Sequence, residues 1–384
     1  MIITFSKRCL FGLFFVMLCF FSICKCSSAA WSIEIVDGKH FSNLSSKAIV
    51  IDASGNPHII YGGNHLYYTY YNGSHWQYET VDTSSGIDGH ASIALDSSGK
   101  AHISYYDYTN KDLKYATNAS GALVTTMVDS SGSVGGYTSI ALDSSGKAHI
   151  SYCDGYPNYL KYATNASGTW VTTAVDSSGV VRYTSIALDT SDKAHISYYD
   201  HTNSNLKYAT NTSGSWVTTT VDSDGLVGEY TSIALDTSGK VYIAYYGNYD
   251  LKYATNASGA WVTTIVDDEG GKYNSIALDN SGKAHISYYT NGNLKYATNA
   301  TGTWVTTTVD SNEDVGSDDI ALDTLGKVHI SYYDDTNGNL QYATNASGAW
   351  VTTMVDSSMS VVEYNTSIAL DTSDKVYIAY YGEL

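Results

Sequence analysis

Proline is nearly absent, with Pro57 and Pro157 the only two in 384 residues. The chain therefore has no polyproline spacer and no proline-rich disordered tract. Arginine is as rare: Arg8 and Arg182 alone. A site that clamps phosphate or carboxylate between several guanidinium forks is excluded. Of five cysteines, Cys9, Cys19, Cys24 and Cys26 crowd the start, which leaves Cys153 single. Residues 31–384 can form no internal disulfide, so burial must hold the fold, and a chain of this length buries roughly three-quarters of its surface. Cys153 reads as a small core residue rather than a nucleophile. The seven glutamates fall at no matched positions that would mark an acid–base dyad. Nowhere in residues 31–384 do apolar residues recur at helical spacing over helix length. Cations are few: 20 Lys and Arg against 38 Asp and Glu, a net charge of −18. A chain this acidic repels nucleic acid.

What is present is repetition. An Ala-Leu-Asp motif or a close variant places aspartates at Asp52, Asp96, Asp143, Asp189, Asp236, Asp279, Asp323 and Asp371. The spacing is about 45 residues, the length of a propeller blade. In the unit from Thr138 to Asp176, four short runs rich in Ile, Val, Thr, Tyr and Trp are bounded by Gly, Ser, Asn and Asp. That is how strands joined by hairpins read. Asp143-Ser144-Ser145-Gly146-Lys147 is a three-residue hairpin loop with Gly146 at the φ > 0 position. In that register Asp143 is expected to ion-pair with Lys147 across the strands. Asp192 and Asp374 replace the glycine in two units, and Asp tolerates that conformation.

The first, second and fourth strands each occur eight times, the third only seven. Trp31–Asp37 supplies a fourth strand ahead of the first complete unit. The expected fold is an all-β propeller of four-stranded antiparallel blades, eight in number, one lacking its third strand and closed by the N-terminal strand. Seven blades with free ends is the alternative. Residues 1–30, with Lys7 and Arg8 before an apolar stretch and Ser28-Ala29-Ala30 after it, read as a secretory signal peptide. Residues 31–384 then form a single domain that is secreted, periplasmic or at the cell surface, and membrane-bound only if the leader stays uncleaved. A monomer is expected.

Ile233-Ala234-Leu235-Asp236-Thr237-Ser238-Gly239-Lys240-Val241-Tyr242-Ile243-Ala244-Tyr245 resembles the NHL type of propeller repeat. Asn256-Ala257-Ser258-Gly259-Ala260-Trp261 loosely resembles the Asp-box of sialidase-like propellers, with the spacing off by a residue. These resemblances imply a propeller and leave function open, because the fold hosts enzymes, lectins and scaffolds. Sialidase chemistry would imply a cluster of three arginines, which this chain lacks.

His58, His102, His149, His195, His285 and His329 share one repeat position, opposite a small alanine such as Ala141. Blades packed about 10 Å apart cannot bring such histidines onto one ion at ligand distances of roughly 2.1 Å, so they are expected to pack between sheets. Trp76, Trp170, Trp216, Trp261, Trp304 and Trp350 are likewise expected between blades. Calcium is the one cofactor left open, at Asp222-Ser223-Asp224-Gly225, Asp267-Asp268-Glu269 and Asn312-Glu313-Asp314. Solvated acidic turns are the plainer account. Asn118, Asn165, Asn211, Asn256, Asn299 and Asn345 open Asn-x-Ser/Thr sequences, read as turn chemistry rather than glycan acceptors.

The copies differ in the loops between second and third strands and between blades, which emerge on one face. There Tyr137, Tyr183, Tyr230, Tyr273 and Tyr364, with His90, precede the innermost strands. Their rings are expected to circle the mouth of the central channel and to suit stacking on sugars or protein hot spots. The function expected is non-catalytic recognition of a glycan or an extracellular protein. A hydrolase or lyase working in the channel, and a structural surface repeat, are the alternatives.

Overall fold

The computed structural model describes residues 2–5, 31–36, 48–62, 64–84, 87–155, 159–311, 315–357 and 365–381. Every regular element in it is a β-strand. One unit shows how the rest are made. Val134–Leu142, Ala148–Asp154, Leu160–Thr164 and Val171–Asp176 pair in order as an antiparallel sheet. Leu142 lies opposite Ala148, and Thr164 opposite Val171. The first hairpin closes with Gly146 at φ 72° and its N–H bonded to the Asp143 carbonyl at 2.9 Å.

The Asp143 carboxylate does not reach across to Lys147 as an ion pair. One oxygen accepts the N–H groups of Ser145 and Lys147, at 2.9 and 2.8 Å. The other faces His149 Nε2 at 3.4 Å. Capping donors inside the loop stand closer to the carboxylate than a flexible ammonium outside it, and they win. Asp192 and Asp374 do adopt positive φ, 61° and 63°. Each also accepts two bonds from the hairpin of the preceding blade, at Ser144 and Thr324. The second hairpin uses Asn165, whose side-chain oxygen accepts the Ala148 N–H at 2.8 Å and so ties two strands together.

Seven blades are built this way from contiguous chain: 49–82, 87–129, 134–176, 181–222, 227–267, 272–310 and 315–356. One further four-stranded sheet joins the two ends of the chain. Thr366–Leu370 and Val376–Tyr380 come from one end, Ile2–Phe5 and Ser32–Glu34 from the other. The third-strand place, expected to be empty, is filled by Ile2–Phe5, which pairs with both neighbours. That strand comes from the segment expected to be a leader. The copy count could not reveal it, because these residues do not resemble a repeat strand. Around the ring, the Ala48 N–H bonds to Ser367 Oγ at 3.2 Å, which seals the closing sheet to the first blade.

Adjacent blades are joined by a recurring polar staple inside an apolar seam. Tyr152, fully buried on a second strand, donates to Asp129 at the end of the preceding blade, at 2.7 Å. Lys161 donates to the same oxygen at 2.6 Å. Tyr198 and Lys207 grip Asp176, and Tyr245 and Lys252 grip Asp222, in the same manner. Lys161 and Lys207, with the serine and tyrosine donors around them, hold Asp129 and Asp176 down to about pKa 2 against the opposing effect of burial. The tryptophans lie between blades as expected, Trp170 edge-on to Tyr115 at 4.9 Å and Trp216 to Tyr162 at 4.8 Å. Trp31 continues the series against Tyr342 at 4.9 Å.

Candidate functional site at the channel mouth

The first strand of each blade is innermost, and neighbouring first strands touch around the axis. The Ile140 N–H reaches Ser92 Oγ, and Ile186 N–H reaches Ser139 Oγ, both at 3.4 Å. Just before these serines the strand bulges. Gly136 lies opposite Cys153 but Ser139 opposite Ser151, so one extra residue is absorbed. The bulge recurs after Arg182, Glu229 and Lys272. A bulge turns a side chain out of the regular alternation, and here it turns the tyrosines.

Tyr137, Tyr183, Tyr230 and Tyr273 all hold φ between 52° and 54°. A bulky residue in that region costs roughly 1–2 kcal/mol, so the bulge holds these four tyrosines in a strained backbone. The rings form one row across neighbouring innermost strands. His90 meets Tyr137 at 4.4 Å between centroids, and Tyr137 meets Tyr183 at 5.1 Å. Tyr183 to Tyr230 and Tyr230 to Tyr273 are each 4.9 Å. Tyr199, Tyr246 and Tyr289 stand behind as a second tier at 6.3–6.4 Å. Five of the six residues expected at the mouth are thus brought together; Tyr364 lies outside the described residues. Tyr273 is the most open, at 42% exposure. Burial, reinforced by the neighbouring rings, raises the Tyr230 hydroxyl well above its ordinary pKa, and burial also raises Tyr183. Both are neutral donors at physiological pH.

The row ends at the blade 315–356, where register puts Ser317 in the tyrosine place. The next two residues also break the pattern, an anomaly that counting motifs does not reveal. Elsewhere a threonine bonds back to a serine of the preceding blade, as Thr138 does to Ser104 at 3.0 Å and Thr231 to Ser197 at 2.8 Å. Here Asp318 replaces the threonine, and neither carboxyl oxygen has a hydrogen-bond partner. Ser287, the serine that faces it, is buried and equally unbonded. Burial pushes the Asp318 carboxyl well above the carboxylate range, and the adjacent Asp319 carboxylate adds to the effect. Asp319, in the serine place, bridges three blades. It accepts Ser275 Oγ at 3.2 Å on one side and the Ile368 N–H at 3.1 Å on the other. Aligning the copies residue by residue would have exposed Ser317-Asp318-Asp319 against Tyr-Thr-Ser.

The other candidates have structural work. Each repeat histidine pairs with a tyrosine of its own blade, as His149 Nδ1 does with Tyr162 Oη at 2.5 Å. Its second nitrogen faces the hairpin aspartate. Burial lowers the pKa of His102, His149 and His195 despite that carboxylate, which keeps the imidazoles neutral. Cys153 is buried in the core, and burial raises its thiol far above the reactive range. Asp222 and Asp267, two of the oxygen ligands considered for calcium, are held by lysine and tyrosine in the seams. Asn312, Glu313 and Asp314 lie outside the described residues.

No protein-family model and no curated protein matches the chain. Among solved structures it is similar to a prolyl endopeptidase, with 11% identity, a TM-score of 0.54 and 84% of this chain covered. It spans about half of that enzyme, 51% of its length. It is similar to the WD40 domain of SCAP from fission yeast, at 8% identity and TM-score 0.54, covering 88% of this chain and 96% of that one. A puromycin hydrolase is a third, at 12% identity and TM-score 0.51, covering 86% and 57%. At such identities the shared property is the propeller.

Proposed function

We propose that this chain is a secreted recognition propeller that binds glycan through the ring of aromatics at its channel mouth. The observation that carries the reading is the row His90, Tyr137, Tyr183, Tyr230 and Tyr273, with four tyrosines held at the same strained backbone angle. Stability alone gives no reason to keep four bulky residues there. A stacking platform gives one, since a tyrosine offers a flat apolar face and a hydroxyl. Export is proposed from the pattern of Lys7 and Arg8 before an apolar stretch, with Ile2–Phe5 retained because cleavage after Ala30 would remove it from the closing sheet. The NHL-like first hairpin and the Asp-box-like second hairpin are proposed as likenesses of the turns alone. The test is a glycan array probed with the purified protein and with a Tyr183→Ala, Tyr230→Ala double variant. Binding of a defined sugar class that the double variant loses is the expected result. Retention of that binding by a folded double variant would remove the mouth from the account.

A second reading, an enzyme working in the channel, is favoured by Asp318, a buried carboxyl without a bonding partner. It predicts turnover of a bound sugar that Asp318→Asn abolishes while binding persists.

A further inference from the structure

Most of the cations belong to the repeat, and five of them, Lys114, Lys161, Lys207, Lys252 and Lys295, are held by aspartates in the seams. After residue 30 the 20 Lys and Arg fall to 17, because Lys7, Arg8 and Lys25 lie before it. Twelve of those 17 recur at the two repeated lysine positions, in the first hairpin and on the third strand. Five stand outside the pattern: Lys39, Lys47, Lys111, Arg182 and Lys272. Two of these five, Arg182 and Lys272, occupy the same place in their blades, the residue just before the bulged tyrosine. Both are exposed. In other blades that place is held by glycine, as at Gly136, or by Glu229.

Arg182 directly precedes Tyr183 and lies opposite Tyr199 in the strand register, and the Lys272 ammonium sits 5.7 Å from the centre of the Tyr246 ring. Glu229, opposite Tyr246, lies between them. The mouth thus presents cation, carboxylate and cation in three successive blades, alongside rings 4.9 Å apart. A surface that is acidic overall repels anions except where cations gather. Cations that the repeat does not supply, placed beside a stacking row, select a ligand that is both flat-faced and negatively charged.

We propose that the mouth is selective for acidic oligosaccharides, with Arg182 and Lys272 receiving the acid groups while Tyr183, Tyr230 and Tyr273 carry the sugar faces. The guanidinium of Arg182 offers a planar fork to a carboxylate, and the Lys272 ammonium offers a point charge. Glu229 accepts sugar hydroxyls and disfavours a ligand charged at every position. This inference rests on the glycan reading above and names its ligand class.

The experiment is an array of matched oligosaccharides, each uronate or sulfated chain printed beside its neutral counterpart. It is probed with the full protein, with an Arg182→Gln, Lys272→Gln variant and with Tyr230→Ala. The expected result is binding to an acidic chain at least tenfold tighter than to its neutral partner, weakened by 0.5 M salt. The double glutamine variant should lose that preference and keep the neutral affinity, while Tyr230→Ala should weaken both. The uronate and sulfate arms distinguish the two sources of acid. Equal binding of acidic and neutral partners, unaltered in the glutamine variant, overturns the selectivity and leaves glycan binding standing. Silence across the array from folded protein overturns both. Because Arg182 and Lys272 are exposed, their variants should melt with the parent, which separates loss of selectivity from loss of fold.

Discussion

The seams between blades and the mouth of the channel are built largely from the same residue in opposite circumstances. In the seams, Tyr152, Tyr198 and Tyr245 are fully buried, and each donates to an aspartate of the preceding blade. At the mouth, Tyr137, Tyr183 and Tyr230 are half-buried, strained, and packed mainly on one another. A seam tyrosine and its aspartate sit on different copies, so losing either leaves a buried polar group behind. A mouth position carries no such debt, and its occupants vary: His90 in one blade, four tyrosines, Ser317 in another. Sameness reports packing here, and variety reports surface free to serve a ligand.

The comparison can be broken first at the seam. Replacing Asp129 by Ala strands the Lys161 ammonium and the Tyr152 hydroxyl, which should cost about 3 kcal/mol, read as a lowered midpoint in urea unfolding. An unchanged midpoint would mean that the staple is ornamental. The same carboxylates set an acid limit. Asp82, Asp129 and Asp176 fall from 3.8 to about 2 on folding. The stability they add is complete above the ordinary value and lost as pH falls from near 4 towards 2.

Asp318 should behave in the opposite sense. Its pKa is raised in the fold, so ionisation is resisted and stability is lost as pH rises above the ordinary carboxylate value. Asp318→Thr, which restores the bond to Ser287 seen in other blades, should stabilise the protein by about 1–2 kcal/mol at neutral pH. The gain should shrink towards pH 4, and a gain independent of pH would show that the carboxyl is not buried in solution. A smaller effect is expected at the histidines. His149→Gln loses the bond to Tyr162 and should cost about 1 kcal/mol at neutral pH. Because burial lowers the histidine pKa values, the wild type should weaken as pH drops through 6.5, and the variant less so. The smallest change belongs to the mouth. Tyr230→Gly relieves the positive φ while losing ring contacts, and its melting should move by less than that of His149→Gln. A large loss there would make the tyrosine row a structural element after all.

Much of the fold is legible in the chain itself. Hairpin turns are local, so Gly146 and its positive φ can be read from five residues. The placement of Trp170 and Trp216 between blades is legible in their recurrence immediately before the fourth strands of their blades. The direction of the Asp143 carboxylate is not legible in this way, because register says which residues are opposed but not which donor stands nearest. Asp318 escapes a count of motifs because it hides inside one whose other copies are ordinary.

The sequence by itself determined the repeat, the strands, the turns and the set of aromatics available to one face, since each depends on contacts within about 45 residues. Only the tertiary structure decided that Ile2–Phe5 completes the closing sheet and that Asp319 bridges three blades. It alone decided that separate tyrosines become one row. Those features depend on which copies become neighbours when the ring closes, and closure is a non-local event that no single repeat encodes.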